Sequence, residues 1–167
     1  LENQAFVCYS LDRYAEAEPL FQRLLAIREK DPGPDDPGVT EILEKLGGLY
    51  RAQLRYAEAE PFYKRAGAIR EKAAGPDHPD VAMVLNMQAL LYHEQDRYAE
   101  AGPIYRRALA IMEKANGPDH PDLAPILDNH AFLCYEQGQY EEAERLYKRS
   151  LAILEKANGP DHPDVAT

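Results

Sequence analysis

The chain has 167 residues, which is enough for one domain with a sizeable buried core. Its 19 basic and 29 acidic residues give a net charge of −10, which argues against nucleic acid or an anionic membrane as the main partner. Hydrophobic residues make up 45% and there are only two cysteines, so wholesale disorder and a disulfide framework are unexpected and a cytoplasmic location is favoured.

A sequence repeat of 42 residues runs along the chain. It is clearest in the string EKANGPDHPD, which stands at 113–122 and again at 155–164, and in a tyrosine column, Tyr14, Tyr56, Tyr98 and Tyr140. We therefore expect a single domain over 1–167. It would contain repeats at 1–33 (with a truncated first helix), 34–75, 76–117 and 118–159, and the start of a fifth repeat at 160–167.

Each repeat predicts two helices. In the third repeat the first helix is expected over about 80–95 and the second over about 98–115, because apolar residues recur there with helical spacing. No segment alternates between apolar and polar residues over a strand length, so the predicted fold class is all-α. Small and aromatic residues recur in facing columns, which predicts close helix packing. These columns are Ala5, Gly47, Ala89 and Ala131; Ala17, Ala59, Ala101 and Ala143; and Phe21, Tyr63, Tyr105 and Tyr147.

Glycine and proline mark the ends of the helices. A glycine that would adopt a left-handed conformation follows the second helix, at Gly75, Gly117 and Gly159, and His-Pro-Asp then starts the next helix. A proline also falls about five residues into the second helix, at Pro19, Pro61 and Pro103, where an interior proline costs about 3 kcal/mol. We therefore expect that helix to begin late or to have an irregular first turn.

The histidines and cysteines do not predict a metal site. His78, His120 and His162 lie one repeat apart, and helix layers about 8–10 Å apart are too distant to share one ion. We interpret these histidines as helix-start residues before proline. Cys8 and Cys134 stand in a column otherwise held by tyrosine and are interpreted as core thiols. No nucleophile–base set or phosphate loop occurs, so we expect no enzyme activity and no cofactor.

The repeat resembles the tetratricopeptide repeat family. The family's columns of large, small and aromatic residues are matched by Leu85, Gln88, Ala89, Tyr92, Ala101, Tyr105 and Ala108. The 42-residue period and the GPDHPDVA turn are most similar to the kinesin light chain-type variant. The resemblance implies an α-solenoid, a right-handed superhelix of four antiparallel helix pairs that serves as a non-catalytic protein–protein interaction scaffold. The departures from the family columns, which weaken local packing, are Gln4, Gln88 and His130 for leucine and Cys8 and Cys134 for tyrosine.

A candidate binding face lies on the first helix of each repeat. The positions one, five and eight residues after the leading leucine fall within about 60° of one another, beside the buried stripe. In the resembled family these positions face a concave groove, and here they vary between repeats while the packing columns recur. The resemblance therefore implies a peptide-binding groove formed by Glu2, Asn3, Phe6, Tyr9, Glu44, Lys45, Arg51, Asn86, Leu90, His93, Asp128, Asn129, Phe132 and Tyr135.

The partner is expected to be a protein or a peptide segment. Phe6, Leu90 and Phe132 would take its apolar side chains, while Arg51 and Asn86 would orient backbone or polar groups. Because the groove columns are net acidic, neutral or basic peptides are expected to bind better than acidic ones. Two alternatives stay open. The apolar residues could pack against the next helix, or the chain could be a structural spacer or self-assembling solenoid fragment without a dedicated ligand.

The two ends of the chain also suggest an interaction. Neither end carries a polar capping helix, and a repeat buries its apolar face only against its neighbours. We therefore expect head-to-tail self-association, with residues 163–167 of one molecule against residues 1–9 of the next. Such a contact does not close and would give filaments rather than a dimer.

Overall fold

The computed structural model describes residues 1–31 and 33–158, and the regular structure within them is helical. The helices are α1 (Glu2–Ser10), α2 (Tyr14–Lys30), α3 (Gly38–Ala52), α4 (Tyr56–Ala74), α5 (Pro79–His93), α6 (Tyr98–Asn116), α7 (Ala124–Glu136) and α8 (Tyr140–Asn158). A 3₁₀ turn at Pro121–Leu123 leads into α7. The chain divides into a first compact unit, Leu1–Pro76, and a second that begins at Asp77. Each unit holds two helix pairs, as the repeat predicts.

The predicted helix boundaries in the third repeat are confirmed to within two residues by α5 and α6. The prediction that the second helix begins late is wrong. In three repeats that helix begins at the tyrosine of the repeat, and the proline is its sixth residue. In α2 the amides of Glu16 and Ala17 both bond to Arg13 O, so the first turn closes before Pro19 is reached. The buried side chains of Ala17 and Phe21, on either side of the proline, then hold the helix in place.

The turn between repeats follows the predicted chemistry. Gly75 and Gly117 end α4 and α6 with φ of 94° and 92°, a conformation that side chains with a Cβ disfavour. Their ψ values of 160° and 163° differ from those of an ordinary left-handed cap. His78 then caps α5, because its Nδ1 accepts a hydrogen bond from the Asp80 amide at 3.3 Å. The expectations for Gly159, His162 and the segment 160–167 lie outside the described residues.

The second helix of the following repeat ties this turn down. In the second unit Arg149 donates one hydrogen bond to Glu113 at 2.5 Å and another to the carbonyl of Pro118 at 2.9 Å. Lys156 donates to Asp119 at 2.6 Å. These bonds explain why basic residues on the second helix recur in step with the GPD turn. The first unit repeats them through Arg65 to Glu29 and Pro34 and through Lys72 to Asp35.

The packing columns form the core of each unit. All the columns of small residues are buried, and so are the aromatic residues of three repeats, Phe21, Tyr63 and Tyr105. Tyr147 is the exception, with 41% of its surface exposed, because no described helix follows α8 to cover it. Cys8 and Cys134 are free and buried, which confirms their interpretation as core thiols.

Among the described residues, no helix is long and apolar enough to cross a membrane.

Candidate functional site

The predicted binding residues fall on two surfaces, one in each unit. The α1/α3 face consists of Glu2, Asn3, Phe6, Tyr9, Glu44, Lys45 and Arg51. The α5/α7 face consists of Asn86, Leu90, His93, Asp128, Asn129, Phe132 and Tyr135. Each face joins the first helices of two successive repeats within its own unit.

The aromatic residues of the α1/α3 face are engaged by their own unit. The ring of Phe6 meets that of Phe21 edge-on at 5.3 Å, and Tyr9 does the same at 6.0 Å. The ammonium of Lys45 lies 5.6 Å from the centre of the Phe6 ring and 5.1 Å from that of Tyr9. These contacts leave Phe6 and Tyr9 half-buried, so little apolar surface remains for a partner.

Tyr9 also lies directly over α3. A Cβ at Gly48 would lie 2.5 Å from the hydroxyl oxygen of Tyr9, so a larger residue there would displace the end of the Tyr9 side chain. Burial raises the pKa of Tyr9, and the charge of Arg51 opposes that rise.

Two acidic residues of the α1/α3 face are paired with arginines. Glu44 lies 2.7 Å from the guanidinium of Arg70, and its side chain is only 15% exposed. Glu2 lies 3.3 Å from the guanidinium of Arg28 and is more exposed. The acidic character predicted for these columns is therefore offset in the first unit by neighbouring basic side chains on the second helices.

The α5/α7 face is held together by two polar contacts between the helices. The Asn129 side chain donates to Asn86 Oδ1 at 3.1 Å. The imidazole Nε2 of His93 donates to Glu136 Oε2 at 2.6 Å. His93 is 5% exposed and Asn86 is 8% exposed, so both belong more to the join between the helices than to its surface. Glu136 was not predicted from the sequence, since its role depends on which residue of α5 lies opposite.

Exposed aromatic surface distinguishes the α5/α7 face. Phe132 is 48% exposed and Tyr135 is 56% exposed, although the Phe132 ring rests against His93 at 5.3 Å and the Tyr135 ring against Tyr140 at 5.5 Å. Leu90 is half-buried. The residues that define this face include Asp128 and no lysine or arginine. Contact of either face with a peptide stays a prediction.

A separate cavity of about 210 Å³ opens between α6 and α7. Its lining includes Tyr98, Gly102, Arg106, His130, Cys134 and Gln139. His130 and Cys134 are two of the residues that depart from the family columns. The weaker local packing expected from these departures coincides with this cavity, which both residues line. Among the described residues no group of three or more histidine, cysteine or acidic side chains could hold a metal ion.

The sequence model of the tetratricopeptide repeat family matches this chain four times, at residues 1–72, 41–114, 80–156 and 122–167. The chain belongs to the tetratricopeptide repeat family. This fold is a common scaffold for protein interactions, and its members are typically non-catalytic. No curated protein sequence matches the chain.

Solved structures of similar fold cover almost the whole chain. BtubC (BKLC) from P. vanneervenii matches 97% of it with a TM-score of 0.83 and 24% identity, and the chain spans 65% of that protein's length. A Podosopora anserina protein assigned as a kinesin light chain, with nearly identical TPR-like repeats, matches 98% of the chain with a TM-score of 0.80 and 23% identity. The chain spans 77% of that protein, and a single-substitution variant of it matches similarly, with a TM-score of 0.81. These similarities confirm the predicted all-α solenoid fold class.

Proposed function

We propose that this chain is a non-catalytic interaction module whose α5/α7 face binds an apolar, neutral or basic peptide segment of a partner protein. The observation that carries the proposal is the exposed aromatic surface of Phe132 and Tyr135 on a face whose defining residues include no lysine or arginine. Aromatic side chains dominate the energetics of most protein interfaces, and such exposed surface in a soluble protein marks a site of contact.

The neighbouring polar groups support a choice of partner chemistry. Glu136 lies beside the face, at 2.6 Å from His93, and Asp128 is one of the residues that define it, although its carboxyl accepts a hydrogen bond from Ser150 of α8. The negative charges of both favour a basic residue of the peptide. Asn129 is partly exposed and donates one side-chain N–H to Asn86. Its second N–H and its side-chain carbonyl oxygen can bond to a peptide backbone. The peptide would therefore combine an apolar side chain that packs on Phe132 with a lysine or arginine nearby.

A second candidate function, that of a structural spacer without a dedicated ligand, is favoured by the α1/α3 face. There Phe6 and Tyr9 pack on Phe21 and lie under Lys45, so the predicted apolar anchor is largely used within the unit. Under this alternative, substitutions on the α5/α7 face would have no effect on peptide capture.

The two candidates are separated by selecting peptides from a random library with the native chain and measuring the affinity of the selected peptides for two variants. Phe132→Ala is expected to weaken binding at least about tenfold, as the loss of an aromatic anchor does. Leu151→Ala is the matched control, because Leu151 is 40% exposed and lies on α8, which is not one of the two helices of the face, and this variant should bind as the native chain does. Equal affinity of Phe132→Ala and the native chain would overturn the proposal.

A further inference from the structure

The cavity between α6 and α7 lies at a place that is filled in the first unit. There α2 and α3 meet through Tyr50, whose hydroxyl donates to Glu18 at 2.9 Å and accepts from Gln22 at 3.0 Å. Arg55 donates to the same Glu18 carboxylate at 2.8 Å and lies 4.3 Å from the centre of the Tyr50 ring. Tyr50 is 4% exposed, so the phenol ring, the carboxylate and the guanidinium together close this junction.

Two repeats further along the chain, all four of these groups are replaced. The residues in the columns of Glu18, Gln22, Tyr50 and Arg55 are Gly102, Arg106, Cys134 and Gln139, respectively. The ring is replaced by a thiol, the carboxylate by a hydrogen atom and one guanidinium by an amide. The space of about 210 Å³ therefore stands where the first unit holds a phenol ring and a carboxylate.

A further residue of the cavity lining is polar at a position where packing alone would favour an apolar side chain. His130, which lines the cavity, stands in the column of Leu46, and its ring stacks on Tyr105 at 5.7 Å. His130 is 5% exposed, and its Nδ1 has no hydrogen-bond partner among the described residues. A buried polar atom without a partner costs free energy that the leucine of the first unit avoids.

The charge that lines the cavity is that of a single guanidinium, whereas Glu142 and Arg145, which pair with each other at 2.6 Å, act on His130 and Cys134 from beyond the lining. Arg106 is the one charged side chain among the lining residues and makes no ion pair with any described residue. Burial raises the pKa of the Cys134 thiol and lowers the pKa of His130, so both are neutral at pH 7. Compared with the first unit, the junction has lost the carboxylate of Glu18, and its guanidinium stands in the place of Gln22 instead of Arg55.

We propose that this cavity binds a small aromatic carboxylate, with its ring in the space that Tyr50 fills in the first unit and its carboxylate on Arg106. Cavities of this size in protein interiors accept single aromatic rings. An arginine is suited to a carboxylate because its planar group of N–H donors matches the two oxygens. The ligand restores the ring and the negative charge that Cys134 and Gly102 have removed. This site is independent of the α5/α7 face and of any peptide.

The first test is a titration of the ¹⁵N-labelled chain with 4-hydroxybenzoate, followed by amide chemical shifts. A ligand of about ten heavy atoms is expected to bind with a dissociation constant on the order of 1 mM. The saturating shifts should centre on Gly102 and Cys134. p-Cresol, which has the ring without the carboxylate, should bind at least about tenfold more weakly, and acetate should give no saturating shifts.

Two substitutions that fill the cavity provide the second test. Cys134→Tyr restores the residue of the Tyr50 column and is expected to abolish the saturating shifts. Gly102→Glu does the same by a different route, and a Cβ at Gly102 meets Leu133 at an ordinary 3.5 Å, so the helix accepts it. Leu151→Ala is the control, because Leu151 is exposed on α8 and does not line the cavity, and it should bind 4-hydroxybenzoate as the native chain does. No saturating shifts in the native chain up to about 10 mM, or unchanged binding by both filled variants, would overturn the proposal.

Discussion

Asn129 donates its side-chain amide to Asn86 Oδ1 at 3.1 Å and so joins α7 to α5. Both residues are predicted from the sequence as binding residues, yet Asn86 is 8% exposed and has a partner within the protein. Asn86 is therefore part of the join between two repeats. Asn129, which is partly exposed, has a second side-chain N–H and a carbonyl oxygen that can bond to a ligand.

The first prediction concerns this pair. Asn129→Ala is expected to lower the free energy of unfolding by about 1–2 kcal/mol, because Asn86 Oδ1 would remain buried without its donor. The double variant Asn86→Ala/Asn129→Ala should cost less than the sum of the two single variants. Urea denaturation followed by circular dichroism measures all three, and additive costs would contradict the coupling.

A second prediction concerns the turn between the two helices of a repeat. Leu54 has a φ of 60° and is 72% exposed, whereas Asp12, Asp96 and Gly138 occupy the same column with φ between 55° and 73°. Leu54→Gly is expected to raise the free energy of unfolding by about 1 kcal/mol, because glycine adopts this conformation without strain. Gly138→Ala is the opposite change at the matching turn and should destabilise by a similar amount. Thermal melting of both variants measures the two signs, and a fall in the melting temperature of Leu54→Gly would contradict the account.

A third prediction concerns pH. Burial raises the pKa of Asp128 in the folded protein, and a hydrogen bond from Ser150 opposes that rise. The stability that the protonated carboxyl contributes is present below about pH 3.9, its unfolded pKa, and is lost as the pH rises through the folded value. Asp128→Asn should therefore be more favourable to stability at pH 7 than at pH 3, relative to the native chain.

Asp119 provides a control, because its contribution to stability is expected to change with pH in the opposite direction. The Lys156 ammonium holds the pKa of Asp119 below its usual range, so its contribution is present above the unfolded pKa and is lost as the pH falls. Asp119→Asn should lower stability at pH 7, with the difference shrinking towards pH 2. Urea denaturation across this range measures both variants, and changes of the same sign would contradict the assignments.

The fold was predictable because the same columns of small and aromatic packing residues recur in all four repeats. A glycine after the second helix and a histidine before proline locate the turns, and the structure confirms both at Gly117 and His120. The helix continues through Pro103 because its neighbours Ala101 and Tyr105 are buried in the core, and helix propensity alone does not predict this packing. Tertiary contacts of this kind override a local preference, and one sequence does not display them.

The candidate site was only partly predictable. Helical periodicity placed Phe132 and His93 on one side of their helices, but exposure depends on what lies across the junction. His93 is buried where Phe132 and Glu136 of the neighbouring repeat lie against its ring, and no spacing within one repeat contains that information. The cavity between α6 and α7 could have been found by comparing columns, since Gly102, Cys134 and Gln139 all depart from the pattern at one junction.

A fourth prediction concerns the charge of the partner. An apolar peptide with lysines should bind more tightly than its matched glutamate version, because Asp128 and Glu136 lie on or beside the α5/α7 face and its defining residues include no lysine or arginine. The difference should shrink as salt is raised, since screening lengths fall to about 8 Å at physiological ionic strength. Calorimetric titration of the two peptides at low and high salt measures it, and equal or tighter binding of the glutamate peptide would contradict the prediction.

The most direct test of the central claim, that the α5/α7 face binds a peptide, is to map the binding surface by amide chemical shifts of the ¹⁵N-labelled chain with a library-selected, lysine-containing apolar peptide. The account predicts that the saturating shifts centre on α5 and α7, at Leu90, Asn129, Phe132 and Tyr135, and spare the exposed side of α8 around Leu151. Saturating shifts that centre on α6 or α8 and leave Phe132 and Tyr135 unchanged would contradict it.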